Sequence, residues 1–193
     1  RDYKVTGVQT CALPIYSGQL WVRYEQRAGR IGPGQAIRAA LWIFGYHLGF
    51  SRMEPVLEEA IDTLRGQSEQ ELRRRTLHFY QTEVHQSLRP GAAPALARHR
   101  ASGDTLALLT SSSLYLSEAF QQRLDIPHAC CNRFEVGEGV FTGQPIRPLC
   151  FGAGKLDHAR KLAARLGERL EDASFYTDRK STRLNSSHLV ISY

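Results

Sequence analysis

Little in this sequence of 193 residues points to an unusual environment. Cysteine is scarce, and the 4 cysteines have neither the spacing of a metal site nor the density of a disulfide scaffold. Buried thiols in a reducing cytosol are the preferred interpretation. No apolar run is long enough to form a membrane-spanning helix. We therefore expect a cytoplasmic protein that has no membrane partner.

Several catalytic and metal-binding patterns are also missing. No G-x-S-x-G sequence surrounds the serines, so a nucleophilic serine is not indicated. The histidines are scattered, without H-E-x-x-H spacing or a His/Cys cluster, and we expect none of them to bind a metal. Gly154 and Lys155 suggest a phosphate loop. However, Leu149 stands where the first glycine of the Walker pattern belongs, and Leu156 stands where a serine or threonine should follow the lysine.

Positive charge exceeds negative charge only moderately, with a formal net charge of +6. The arginines are scattered except for Arg73, Arg74 and Arg75, which lie in a charged helical pattern typical of a solvated helix face. We therefore expect no nucleic-acid partner. The alternative is that ELRRRTLHFY, residues 71–80, is a basic, aromatic-bearing face that binds a protein partner or nucleic acid.

The two ends of the chain lack a helical or alternating apolar period and are related through the genetic code. For every position i from 1 to 15, the genetic code offers a codon for residue i that is complementary to a codon for residue 193 − i. An inverted DNA repeat that resembles a sequencing adapter accounts for this relation. We predict that residues 1–15 and 178–193 are adapter artefacts outside the fold, and that the natural gene continues in both directions.

Between these ends, residues 16–88 are predicted to be helical. Residues 34–50 are apolar enough for a largely buried helix. Two further helices start with capping boxes at Ser51 and Ser68, and the first of the two ends near Gly66. Because only a short turn separates them, we expect these helices to pack as a hairpin-like bundle.

Residues 89–177 instead alternate between strands and helices. The run DTLALLT, residues 104–110, is almost continuously apolar, as in a parallel strand that is buried on both faces. HACCNRFEV and ASFYT are predicted to be further strands, VGEGVFTG a hairpin, and GKLDHARKLAARLGE an amphipathic helix. The alternation predicts an α/β fold with a parallel sheet, which binds ligands at the carboxyl ends of its strands.

Three places in this α/β part have residues suited to chemistry. Thr110 and Ser111 follow the first strand, where hydroxyls and backbone N–H groups form a good anion cradle, although a plain helix cap is the alternative. Lys155 lies at a helix start and opposes the helix dipole, a cost that a bound phosphate would reverse. Asp178 follows the last strand, a usual place for a magnesium ligand, although an artefactual codon is the alternative there.

The segments DTLALLTSSS, CNRFEVGEGVFTGQ, FGAGK and ASFYTD, in this order, resemble the haloacid dehalogenase (HAD) superfamily. The most similar branch is the phosphoserine-phosphatase-like subfamily IB. The resemblance covers residues 16–177. It implies a Rossmann-like, truncated HAD core at residues 89–177 and a helical cap at residues 16–88 that closes over the substrate.

The resemblance also implies roles for single residues. Thr110 would hydrogen-bond the phosphoryl group, and Ser111 would add a backbone N–H. Lys155 would neutralise the nucleophile and the transferring phosphoryl group, and Asp178 would hold Mg²⁺, the implied cofactor. The family's D-x-D-x-T motif, which supplies the nucleophilic aspartate and the general acid/base, is absent from the sequence.

The function implied by the resemblance is that of a magnesium-dependent phosphatase. It would hydrolyse a small phosphorylated metabolite, a phosphomonoester, through an aspartyl-phosphate intermediate. The missing motif predicts that this chain is inactive and marginally stable, because the neighbours of the missing central strand would lose their pairing. Two alternatives are a HAD-type phosphotransferase acting on an alcohol acceptor and a non-enzymatic helical binding module.

Overall fold

The computed structural model describes residues 5–8, 17–32, 34, 53–87 and 92–176. The chain divides into two compact units. The α/β unit comprises residues 1–15, 85–133 and 146–193, and the helical unit comprises residues 16–84 and 134–145. The predicted helix at residues 34–50, the capping box at Ser51 and the proposed metal ligand Asp178 lie outside the described residues, except for Gly34.

The described part of the chain contains α-helices, strands and short irregular turns. The helices are α1 (Ser17–Arg27), α2 (Met53–Asp62), α3 (Glu69–Phe79), α4 (Ala92–Ala101), α5 (Leu114–Leu124) and α6 (Ala153–Leu166). The strands are β1 (Val5–Val8), β2 (Thr105–Ser113), β3 (His128–Gly137), β4 (Val140–Ile146) and β5 (Ser174–Tyr176). No described helix has the length and apolar character that crossing a membrane requires.

The five strands form one sheet in the order β4-β3-β2-β1-β5. β2 pairs in parallel with β1 and β3, and β1 pairs in parallel with β5. β3 and β4 are joined by the two-residue turn of Glu138 and Gly139, both at positive φ, as in a tight hairpin. The α/β fold class with a parallel sheet is confirmed.

The position of β1 corrects one expectation. We expected residues 1–15 to lie outside the fold and the strands beside the missing central strand to lack a partner. In the structure, residues 5–8 lie between β2 and β5, with Val5 opposite Thr105 and Val8 opposite Tyr176. The backbone of any short extended segment can complete a parallel ladder, so this position is filled without the expected motif. That these residues derive from an adapter stays a prediction.

One part of the core of the α/β unit lies between α6 and the sheet. β2 is buried along Leu106, Ala107, Leu108, Leu109 and Thr110, as its continuous apolar run predicts. A cluster of buried side chains joins β2 to β3, to the loop before α6 and to α6 itself: Ala107, Leu109, Cys130, Cys150, Ala159 and Leu162.

The helical unit includes the hairpin that the sequence pattern assigned to the α/β core. The outer strand β4 is hydrogen-bonded to the segment before α3: the N–H of Gly66 donates to the carbonyl of Phe141 over 2.8 Å, and the N–H of Phe141 donates to Gln67 over 3.0 Å. These bonds pair the hairpin with residues that precede it by more than sixty positions. Local pattern carries no information on such pairing.

The start and end of α3 differ in how well local sequence predicts them. The side chain of Ser68 accepts a hydrogen bond from the N–H of Glu71, as a capping box requires, while the Glu71 carboxylate pairs with Arg74. At its other end, α3 continues into a π-helical turn from Tyr80 to Val84. Val84 is fully buried there, so packing has overridden the regular helical continuation that the sequence predicts.

Candidate functional site

The candidate site begins where the pairing between β2 and β3 becomes irregular. Leu109 lies opposite Cys130, and the next recorded pair is Ser113 opposite Asn132. Residues 110–112 of β2 therefore face a single residue of β3, which leaves two of them in excess. We call residues 110–112 the bulge. Bulges of this kind turn side chains away from the regular sheet and are frequent beside active sites.

Two hydroxyl groups of the bulge, those of Thr110 and Ser112, bond to each other. The Thr110 hydroxyl donates to the Ser112 hydroxyl over 3.2 Å and accepts from the backbone N–H of Ser112 over 3.1 Å. Thr110 is only 3% exposed. Ser113 is the N-cap of α5 and accepts from the N–H of Leu116. The helix-cap alternative is therefore correct for Ser113, whereas Thr110 and Ser112 form a separate turn.

Asn132 connects the bulge to the loop that precedes α6. Its side-chain N–H₂ group donates to the carbonyl of Ser111 over 2.7 Å, and its side-chain oxygen accepts from the N–H of Cys150 over 2.7 Å. Asn132 is 3% exposed. No motif in the sequence marks this residue as functional, and the available signal is a carboxamide that follows the apolar stretch HACC.

The start of α6 depends on two glycines. Gly152, the N-cap, has φ 51° and ψ −127°, a backbone conformation that residues other than glycine rarely adopt. Gly154 lies so close to the backbone of Leu149 that an added Cβ would overlap its carbonyl oxygen. The sequence FGAGK therefore brings the backbone of α6 close to the preceding loop, and the next residue is Lys155.

Lys155 is 3% exposed, which is rare for a lysine because a buried charge loses its hydration. It lies in the first turn of α6, where the helix dipole opposes its charge. Burial raises the pKa of the nearby Cys150 thiol to about 12, and the charge of Lys155 and a backbone hydrogen bond with Thr110 partly oppose that shift. The Cys150 thiol is thus influenced by both residues.

Three of the four predicted site residues lie on two elements that share the contacts of Asn132 and Cys150. Thr110 and Ser111 lie in the bulge, and Lys155 lies at the start of α6. The Asn132 side chain and the Cys150 thiol connect these two elements. Asp178 lies outside the described residues, so its place relative to the other three stays a prediction.

Among the described residues, which do not include Asp178, the donor atoms of this site do not suit Mg²⁺. The described residues contain no group of three or more His, Cys, Asp or Glu side chains that could hold a metal ion. The site offers hydroxyls, a carboxamide and a buried ammonium group, whereas Mg²⁺ is held in proteins chiefly by carboxylates. The ammonium of Lys155 would repel a cation and attract an anion.

Comparison with known proteins agrees with this fold. Residues 13–181 match the family model of the haloacid dehalogenase-like hydrolases, and the chain belongs to that family. A probable phosphatase of Mycobacterium tuberculosis strain H37Rv is 31% identical over 87 residues. These residues are 45% of this chain but 30% of the relative, so the chain spans less than a third of that protein.

Solved structures with the same fold include proteins of known and unknown function. A Bordetella pertussis Tohama I protein of unknown function superposes with a TM-score of 0.81 at 24% identity, over 92% of this chain and 83% of that one. A phosphoserine phosphatase, solved as a phospho-aspartyl intermediate analogue, superposes with a TM-score of 0.65 at 15% identity, over 91% and 78%. At these identities the likeness shows the fold alone.

Proposed function

We propose that the site binds the phosphoryl group of a small phosphomonoester and belongs to a cytoplasmic phosphoric monoester hydrolase. The observation that carries this proposal is the position of Lys155, a lysine only 3% exposed in the first turn of α6. Asn132 links the loop that precedes this helix to the hydroxyl-rich bulge of β2. Membership of a hydrolase family and the similarity to a probable phosphatase support it.

Each residue contributes a different interaction to the proposed binding step. The ammonium of Lys155 neutralises part of the phosphoryl charge in a site from which water is largely excluded, where a charge-assisted hydrogen bond is strong. The Thr110 hydroxyl donates to a phosphoryl oxygen in place of its present acceptor, Ser112. The backbone N–H of Ser111 adds a third donor, as in other sites that stabilise developing negative charge.

The remaining steps of the proposed reaction need groups that these residues do not supply. The resemblance to HAD phosphatases implies an aspartate nucleophile and Mg²⁺, but D-x-D-x-T does not occur in the 193 residues. The described donor groups around Lys155 do not suit the metal, and no step of our proposal passes through it. We therefore expect the chain to bind phosphate without hydrolysing phosphomonoesters.

A direct test measures binding of inorganic phosphate to the 193-residue chain by ³¹P NMR titration. Replacing Lys155 with methionine keeps an unbranched side chain in the buried space but removes its charge. We expect phosphate to bind about ten- to a hundredfold more weakly, as for loss of a hydrogen bond to a charged group. Lys161→Met is the matched control, because Lys161 is exposed on the same helix, α6.

One result would count against the proposed phosphate site, and another would count against the expected inactivity of this chain. Equal loss of phosphate affinity in both lysine variants would indicate general charge attraction rather than a site. Hydrolysis of p-nitrophenyl phosphate by the chain with Mg²⁺ would contradict the expected inactivity. Product analysis with an added alcohol acceptor distinguishes a hydrolase from the phosphotransferase alternative.

The helical binding module has less support from the structure. Arg73 and Arg74 pair with glutamates of their own helix over 3.3 Å and 2.6 Å, and Arg75 pairs with Glu25 over 3.1 Å. A face whose cations are already paired releases fewer counterions when it binds a polyanion. Strongly salt-dependent binding of a nucleic acid to the chain would favour this alternative.

A further inference from the structure

We propose that Asn132 is a positioning residue that sets the place of Lys155 relative to the bulge and so determines how tightly the site binds a phosphoryl group. This inference rests on the proposed function. Asn132 touches neither a phosphoryl group nor Lys155 in our proposal. It acts through two backbone groups, the carbonyl of Ser111 and the N–H of Cys150.

The two hydrogen bonds of Asn132 require a carboxamide in a single orientation. One bond needs a donor and the other needs an acceptor, and each is 2.7 Å long. A flipped amide would place its N–H₂ group against the N–H of Cys150 and its oxygen against the carbonyl of Ser111. Because the side chain is 3% exposed, water offers little compensation for such a mismatch. The geometry therefore fixes both backbone segments at once.

The bulge needs an anchor because the ladder of the sheet does not pair it residue by residue. Residues 110–112 face one residue of β3. The carbonyl of Ser111 and the N–H of Ser112 belong to the same planar peptide group. When Asn132 fixes that carbonyl, it also fixes the N–H that bonds to Thr110 over 3.1 Å. The orientation of the Thr110 hydroxyl thus depends on Asn132.

The loop before α6 transmits the second hydrogen bond to Lys155. Cys150 is separated from Lys155 by residues 151–154, which are joined by short backbone bonds. The N–H of Gly154 donates to Phe151 over 2.9 Å, and the N–H of Lys155 donates to Gly152 over 3.2 Å. The close approach of Gly154 to Leu149 restricts movement of this segment. A displacement of Cys150 is therefore expected to move the start of α6.

The test compares Asn132→Leu with a matched control, Gln121→Leu. Gln121 is also a carboxamide in the α/β unit, and its side chain donates to the carbonyl of Ile126 over 3.1 Å at the far end of α5. Both variants lose side-chain-to-backbone hydrogen bonds, so both are expected to lower the thermal midpoint. Phosphate affinity is expected to fall about tenfold in Asn132→Leu alone, as for residues that orient ligating groups.

A double-mutant cycle with Lys155→Met distinguishes positioning from a general loss of structure. If Asn132 acts chiefly by placing Lys155, Asn132→Leu should weaken phosphate binding much less in a chain that already lacks the lysine charge, where only its effect on the Thr110 hydroxyl remains. A tenfold loss in both backgrounds would overturn the proposal. So would wild-type affinity in a folded Asn132→Leu chain.

A second measurement keeps the inference testable if the unaltered chain does not bind phosphate at all. That result would count against the proposed function. The positioning role of Asn132 would then be tested through the amide signals of Ser112 and Lys155 in ¹H–¹⁵N spectra. Neither amide bonds to the Asn132 side chain, and we expect both signals to shift in Asn132→Leu and to stay in place in Gln121→Leu. Unchanged signals in Asn132→Leu would show that Asn132 positions neither element.

Discussion

Replacing Gly154 with alanine should destabilise the protein, although alanine is the better helix former. Gly154 is the second residue of α6, and an alanine Cβ would overlap the carbonyl oxygen of Leu149. The carbonyl carbon of Leu149 would be 3.2 Å away and the Cβ of Pro148 3.7 Å away. The nearest atoms belong to backbone, so no side-chain rotation relieves the overlap. Either α6 or the preceding loop must move.

The expected size of this effect is the difference between two opposing contributions. Forcing extra volume into a packed site costs about 1–3 kcal/mol. Replacing glycine with alanine within a helix contributes up to about 1 kcal/mol in the other direction. We expect the free energy of unfolding of Gly154→Ala to fall by roughly 1–2 kcal/mol, which lowers the thermal midpoint by about 2–4 °C for each kcal/mol in a chain of this size.

Gly18 provides a matched control on another helix. It is the second residue of α1, and an added Cβ there meets no atom within 4 Å. Gly18→Ala should therefore stabilise the protein through helix propensity alone. Urea denaturation of both variants, with the midpoint and the slope fitted separately, measures the two changes. The prediction is a difference in sign between Gly154→Ala and Gly18→Ala.

A Gly154→Ala chain as stable as the Gly18→Ala chain would refute the reasoning. It would mean that the loop yields without cost and that α6 is not held against Leu149. Phosphate affinity provides an independent check, because Lys155 is the next residue. If the start of α6 moves, Gly154→Ala should also weaken phosphate binding, whereas Gly18→Ala should not.

Two further predictions concern buried charge and pH. Glu25→Ala should lower the free energy of unfolding by about 3–5 kcal/mol, because it leaves the buried charge of Arg75 without this partner. Glu25 lies 3.1 Å from Arg75, and the two side chains are 7% and 10% exposed. Chemical denaturation measures the loss. The pKa of Cys150 is raised by burial from the ordinary 9.0 to about 12, so the unfolded chain releases this proton first as pH rises. The stability that the neutral thiol contributes is complete below pH 9.0 and is lost towards pH 12. Cys150→Ala should therefore lose stability less steeply than the unaltered chain over that window. The two slopes should differ by roughly 1 kcal/mol per pH unit.

Each of these two predictions has its own control. Glu71→Ala removes an exposed ion pair with Arg74 and should cost much less than Glu25→Ala, because water replaces the lost partner. Equal losses would show that burial of Glu25 contributes nothing. For the thiol, identical pH slopes in the unaltered chain and in Cys150→Ala above pH 9 would show that Cys150 titrates at the same pH whether folded or unfolded.

The candidate site was predictable from sequence only in part. Thr110, Ser111 and Lys155 were proposed from strand ends and helix starts, because these are local features with known consequences for anion binding. Asn132 was missed, since its two partners lie 21 and 18 residues away along the chain. A single carboxamide after an apolar stretch does not show which backbone groups it will meet.

The sequence by itself determined the class of fold and much of its local structure. Apolar runs of strand length, amphipathic periods and caps such as Ser68 depend on neighbours within a few residues, so they are visible without the fold. Only the tertiary structure decided that residues 5–8 lie beside β2, that the hairpin of residues 134–145 packs with the helical unit, and that Lys155 is buried. These outcomes depend on which distant surfaces fit together, and that is a property of packing in three dimensions rather than of local pattern.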